Sequence, residues 1–288
     1  MSVEATPVLA VPQRRRRTRL PAATLIFSVV VLLGVLVCSA FGPLLAPHDA
    51  TYQDLLTGPS GPSGAHWLGT DTLGRDVASR IIVGARTAVL GPAVVACGAM
   101  LIGGALGLLS GYLGGAVDQS IMRWVDLMYA LPGLLVAIVV VGVVGGGYWL
   151  AVGLLIFLSA PYDTRLIRGA TLEQRSKPYV EAARTLGVSA QSIMRRDIWP
   201  NVFPVAIANT LLQFAFALVS LSALSFLGLG APPGTPDWGR MLADNRPMLF
   251  DTPAAVLAPA GAIILTAVAV NLLGDLLEER FADRGRAR

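Results

Sequence analysis

Residues 178–200 read PYVEAARTLGVSAQSIMRRDIWP, a charged segment set between apolar runs that are each long enough to cross a bilayer. A chain that keeps one elaborate polar loop among such runs offers a place for something to dock. Its composition agrees, with 54% hydrophobic and 14% charged residues and a mean hydropathy of +0.65; soluble domains carry about a quarter charged residues. A helix needs about 20 mostly apolar residues to span the hydrocarbon core. The runs 22–46, 84–111, 121–144, 148–161, 204–229 and 253–274 are the candidates, giving six expected spans. The fourth is short because Pro161 and Asp163 interrupt it, and it is expected to continue toward Arg165 by snorkelling. The fold class expected is therefore an all-α integral membrane protein with one transmembrane domain over 21–277. External loops fall at 47–83 and 230–252, and a cytoplasmic loop at 162–203. Tails at 1–20 (basic, expected to be disordered) and 278–288 flank the domain.

Orientation follows from the Lys/Arg distribution. The N-terminal tail carries Arg14 to Arg17 and Arg19, and the C-terminal tail Arg280, Arg284, Arg286 and Arg288. The 162–203 loop carries Arg165, Arg168, Arg175, Lys177, Arg184, Arg195 and Arg196. With six spans these regions share one side, and the opposite side keeps Arg75, Arg80, Arg86, Arg240 and Arg246. The positive-inside rule places both termini and the long loop in the cytoplasm. The pI of about 9.4 then reflects topology, with no nucleic-acid partner expected. A secretory signal is the competing reading of RRRRTRL and the run after it, but Ala22 to Ala46 is longer than a 7–15-residue signal core.

Several chemistries are excluded. The single lysine, Lys177, lies between Ser176 and Pro178 and cannot serve a Gly-rich phosphate loop, so the chain alone has no such ATPase site. Both histidines, His48 and His66, fall in the external loop without metal-ligand spacing, so no metal site is expected. No nucleophile–base pair emerges, so no catalytic residue is expected. Cys38 and Cys97 lie within apolar spans and form no disulfide framework. Ion coupling would need ionisable groups deep in the spans, and few are visible. Arg123 and Asp126, at i and i+3, are expected to pair on one helix face. Asn209, Gln213, Ser220 and Ser222 either line a translocation path or bond between helices.

The loop itself reads as helix, break, helix. Pro178 suits a first helical turn, and Glu181 places a negative charge near the positive end of the dipole. Gly187 supplies a left-handed stop, and Ser189 caps a second helix that is expected to end before Pro200. Ala182, Ala183 and Gly187 form a small-residue face, with Arg184, Arg195 and Arg196 around it.

EAARTLG resembles the EAA loop of ABC-importer membrane subunits, whose pattern is E-A-A, three residues, G and a later I-x-L-P. Glu181, Ala182, Ala183, Gly187 and Pro200 match it. Trp199 stands where leucine is usual, and Ile198 sits directly before it. HWLGTDTLGRDVASRIIVGART (66–87), GYLGGAVDQSIMRWVDLMYALPG (111–133) and SFLGLGAPPGTPDWGRML (225–242) are similar, in the same order, to the second-type permease of the dipeptide, oligopeptide and nickel branch. The resemblance covers roughly residues 20–280. It implies a type I importer permease fold in a bacterial cell membrane. It also implies a homologous second permease, two ABC ATPases that bind the ATP and magnesium, and an external substrate-binding protein, with no cofactor on this chain. The implied ATPase-coupling residues are Tyr179, Glu181, Ala182, Ala183, Arg184, Gly187, Ile198 and Pro200. Implied contacts for the binding protein are His66, Trp67, Asp71, Arg75, Asp237 and Trp238, unless these residues only shape the outer surface. The implied cargo is a peptide, with glutathione, nickel chelates or haem as alternatives within the branch. An ATPase-independent secondary transporter or channel is the reading from a different class.

Overall fold

The computed structural model describes residues 22–56 and 58–286, and the expected disordered tail at 1–20 lies outside them. The described residues form α1 (Ala22–Leu45), α2 (Val77–Leu113), α3 (Gly115–Tyr129), α4 (Gly133–Val144) and α5 (Tyr148–Arg175). After these come α6 (Pro178–Thr185), α7 (Ala190–Ser192), α8 (Trp199–Phe226), α9 (Trp238–Asn245) and α10 (Ala254–Arg286). A π-helical turn at Ile193–Ile198 joins α7 to α8. The three together form one rod of 37 residues, Ala190–Phe226.

Among the described residues five helices are long and apolar enough to cross a membrane. The third expected span, 121–144, is not continuous: α3 and α4 meet at a bend of 79°. The sequence Ala130-Leu131-Pro132-Gly133 explains the break. Proline pushes the residue before it out of the α region, and Pro132 itself is extended, with ψ 97°.

The ends of α2 and α5 decide whether this bent pair crosses. Tyr148 Oη donates to the Thr87 carbonyl at 2.5 Å, near the start of α2, while Arg175 Nη1 donates to the Gly111 carbonyl at 3.4 Å, near its end. The two helices therefore run parallel. Since α2 finishes at the face where α5 also finishes, α3 and α4 must carry the chain across, making six passages. Gly42 of α1 packs on Ile82, and Ala255 of α10 accepts from Asn245, so both outer helices also meet α2 at its starting face. The start of α1 and the end of α10 thus share the face that carries α6.

A stripe of glycines sets the α2–α5 spacing. A Cβ added at Gly103 would lie 2.5 Å from Asp163 Cβ, at Gly107 2.6 Å from the Thr164 carbonyl, and at Gly111 2.7 Å from Thr171 Cβ. Small residues at every fourth position let helix backbones approach closely where lipid supplies no hydrophobic drive.

Two sequence expectations are corrected. The fourth span is longer than the expected extension toward Arg165, because α5 runs through Pro161 and Asp163 to Arg175. Prolines are tolerated in membrane helices when neighbouring structure supports the freed carbonyl, and Pro161 is buried against its neighbours. The helix after Gly187 does not end before Pro200. The π turn shifts the hydrogen-bond register, with Trp199 N–H bonding to the Met194 carbonyl, and Pro200 sits in the first turn of α8. A proline there needs no donor.

Candidate functional site

The loop on the α6 face is built as its residues dictate. Pro178 occupies the first turn of α6 and Glu181 lies in that turn. Gly187 takes φ 76° beyond the last turn, while Val188 N–H reaches back to the Ala183 carbonyl at 3.1 Å, closing the helix in the Schellman manner. Ser189 caps the next turn through Ser192 N–H. Underneath, Val180, Ile193 and Ile198 are wholly buried with Ile167 and Tyr112, where α2, α5 and α8 converge. Arg184 stacks over the Tyr112 ring at 4.8 Å, pinning α6 to the end of α2.

The outward face is different. Glu181, Ala182, Gly187 and Pro200 are exposed, Ala183 is half-buried, Tyr179 is exposed with its hydroxyl donating to Gln174, and Leu186 is 82% exposed. Partial desolvation of its ring raises the Tyr179 phenol above its ordinary pKa. Among the described residues Glu181 has no ion-pair partner. The residues expected to couple thus divide into a packed pair (Ile198, Arg184) and a presented surface.

The polar residues of α8 face inward. Asn209 is buried, and its Nδ2 donates to Asp163 Oδ1 at 2.6 Å; Gln213 lies one turn on, beside the same carboxyl. Asp163 is fully buried, and its Oδ2 has no hydrogen-bond partner. An ionisable group therefore does lie deep in a crossing, contrary to expectation. Ser220 is buried and Ser222 half-buried, with the Ser222 carbonyl packed by Gly239 of α9. Bonding and packing between helices account for these contacts. Arg123 does not hold Asp126: that carboxylate pairs with Arg165, and Asp118 takes both Nε and Nη2 of Arg168 at 2.6 Å. Packing of α3 on α5 brings those arginines closer than any on α3.

On the opposite face, the external-contact candidates also divide. Asp71 and Arg75 are buried and paired, Arg75 Nε to Asp71 Oδ2 at 2.6 Å. Arg80, also buried, grips the carbonyls of Ala50, Gly234 and Thr235 at 3.0–3.3 Å. Trp238 is buried with its Nε1 donating to Ile81, and Asp237 caps α9 through Arg240 N–H. These four candidates clasp the loops together, leaving Trp67 exposed and His66 half-buried.

His48, His66 and Asp76 converge, their ligand atoms within 4.8 Å of one another, although 28 residues of sequence separate the first from the last. Both Asp76 oxygens are already engaged: Oδ2 takes Ser79 N–H and Oγ at 2.8 and 2.6 Å, and Oδ1 takes His66 Nδ1–H at 2.9 Å. Burial pushes the Asp76 pKa up, but the bonds from Ser79 and His66 outweigh it and hold the group below its ordinary value. The cluster reads as a reinforced N-cap of α2.

Comparison with known proteins agrees with this architecture. Residues 103–283, more than half the chain, match the family of binding-protein-dependent transport system inner membrane components. The chain is 40% identical over 236 residues to the glutathione transport system permease protein GsiD of Pectobacterium atrosepticum, covering 82% of this chain and 78% of that one. It is 38% identical over 248 residues to the probable D,D-dipeptide transport system permease protein DdpC of Escherichia coli K12, covering 86% and 83%. A GsiD from E. coli O6:K15:H31 is 39% identical over 271 residues, covering 92% and 87%. The chain belongs to the binding-protein-dependent transport system inner membrane component family, as a multi-pass ABC-importer permease subunit of the inner membrane that transports and is not an enzyme.

Proposed function

We propose that this permease forms half of the pathway of an ATP-driven peptide importer. Its partners are a homologous permease, two ABC ATPases that bind ATP and magnesium, and an external binding protein received on the face of Trp67. One observation carries the mechanism. The exposed surface of α6 is continuous, through the fully buried Val180 and Ile198, with the rod that becomes α8. A displacement delivered at Glu181, Ala182 and Leu186 is transmitted because close-packed interiors pass strain on instead of absorbing it. Rigid-body movement of α8 against its neighbours then opens one side and closes the other. Two relatives are named for glutathione and a D,D-dipeptide, both small peptides, which favours a peptide cargo.

The test is Gly187→Val. The left-handed backbone costs a side chain about 1–2 kcal/mol, and β-branching makes valine the worse occupant. Nothing lies within 4 Å of a Cβ here, so the cost is conformational and not steric within the chain. Recovery of ATPase subunits on tagged permease and peptide uptake should both fall, while permease abundance holds. Gly187→Asn, which tolerates this conformation, should retain most of both. Normal ATPase recovery and uptake in Gly187→Val would refute the coupling role.

A further inference from the structure

On the face opposite α6, a cavity of about 760 Å³ opens between α2, the α4–α5 turn and the chain between α8 and α9. That volume is in the range of sites for small organic ligands, about 300–1,000 Å³. Its walls are apolar and aromatic: Tyr148 and Trp149 on one side, Pro232 and Pro233 on the other. Trp149 is 64% exposed, whereas Tyr148 is held by its bond to Thr87. Gly145, Gly146 and Gly147 all adopt positive φ, and a Cβ at each would meet nothing within 4 Å, so this wall presents bare peptide backbone to open space.

One charge enters the cavity. Arg86 lines it from α2 and is exposed; among the described residues it makes no ion pair or hydrogen bond, and no acidic residue lines the cavity. Every other external arginine of that helix region is engaged: Arg75 on Asp71, and Arg80 on three carbonyls and near Asp71. Arg86 lies ten residues past the Asp76 cap, about 15 Å along the helix. An unpaired guanidinium beside apolar helices ordinarily faces a partner or an aqueous cavity. Here the cavity is present, and no partner stands among the described residues.

We propose that this cavity is an entry site for a small peptide bearing a free carboxylate, with Arg86 as its anchor. The guanidinium fork matches a carboxylate with two parallel bonds. The aromatic and proline walls accept the peptide's side chains, and the glycine turn lets its backbone lie close. The inference rests on the peptide-import reading and names where that peptide first meets this subunit.

The test uses the assembled importer with its binding protein in proteoliposomes. Two measurements are made: dipeptide uptake, and photo-cross-linking by alanyl-p-benzoylphenylalanine. In the wild type, label should map to residues 145–149 and be displaced by alanyl-alanine but not by its C-terminal amide. Loss of one charge-assisted pair is worth about 1.5–3 kcal/mol, so Arg86→Gln should lower labelling about tenfold or more. Arg86→Lys should retain part of it, and both variants are normalised to recovered complex. A wild type that imports dipeptide without labelling this cavity overturns the proposal. So does Arg86→Gln labelling as wild type does, or equal displacement by acid and amide, as expected if Arg86 holds a lipid headgroup. Absence of dipeptide uptake by the wild type would instead overturn the peptide-import reading.

Discussion

Substituting Gly107 by alanine tests whether the glycine stripe sets the spacing of α2 and α5. The added Cβ would lie 2.6 Å from the Thr164 carbonyl and 2.9 Å from Arg168 N, against 3.4 Å or more for ordinary contact, so the helices must part by about 0.8 Å. Both short contacts are backbone, and neither can rotate away. Overpacking of this kind costs about 1–3 kcal/mol, offset by the roughly 1 kcal/mol that alanine gains over glycine in a helix. Gly169→Ala on α5 supplies the control, since its Cβ meets nothing within 4 Å and only the propensity gain applies. The propensity gain cancels between the two variants, so Gly107→Ala should be less stable than Gly169→Ala by about 1–3 kcal/mol. The assay is SDS-induced unfolding of tagged permease in mixed micelles, read as the shift in midpoint. Equal midpoints, or a more stable Gly107→Ala, would refute close approach at this stripe.

Two further outcomes follow from buried polar groups. Asp163→Ala should destabilise the permease by about 1–3 kcal/mol because Asn209 loses its buried acceptor, whereas Asp163→Asn should stay near wild type; unfolding midpoints in the same order would check this, and the reverse order would contradict it. Asp76 has a depressed folded pKa, so its cap contributes fully above the unfolded value near 3.9 and is lost as pH falls through the folded value. The melting temperature of wild type should therefore fall more than that of Asp76→Asn as pH drops from about 5 to below 3, and parallel curves would remove the cap from the account.

The 178–200 loop was legible because its signals are local. Pro178, Glu181, Gly187 and Ser189 each act within their own helix turn, and each stands where the sequence reading put it. What escaped was set by partners distant in sequence. The apolar pattern of 121–144 is unbroken in hydropathy, so only Pro132 and Gly133 could have signalled the 79° bend. Pro161 interrupts the apolar run and Pro200 reads as following a helix end, but a continuous α5 and a π turn absorb them. Asp163 resembled a span terminus because its acceptor role for Asn209, 46 residues later, has no sequence period. The same holds for the arginines of α5 that claim Asp118 and Asp126. In the external block, Asp71, Arg75, Asp237 and Trp238 carried the right prominence but serve cohesion; charge and aromaticity alone do not tell a clasp from a contact surface.

The Arg80 clasp bears on the order in which the protein can be made. Two of its three carbonyl partners, Gly234 and Thr235, lie 154 and 155 residues downstream. At bacterial elongation of about 5–20 residues per second, the guanidinium waits some 8–30 seconds after synthesis before they exist. During that interval the first two helices cannot adopt their final external packing, and Arg80 needs water or a translocation partner in place of the missing carbonyls. The nascent chain therefore stays open at its outer face until the fifth crossing has been delivered, and closure of that face is a late event in biogenesis.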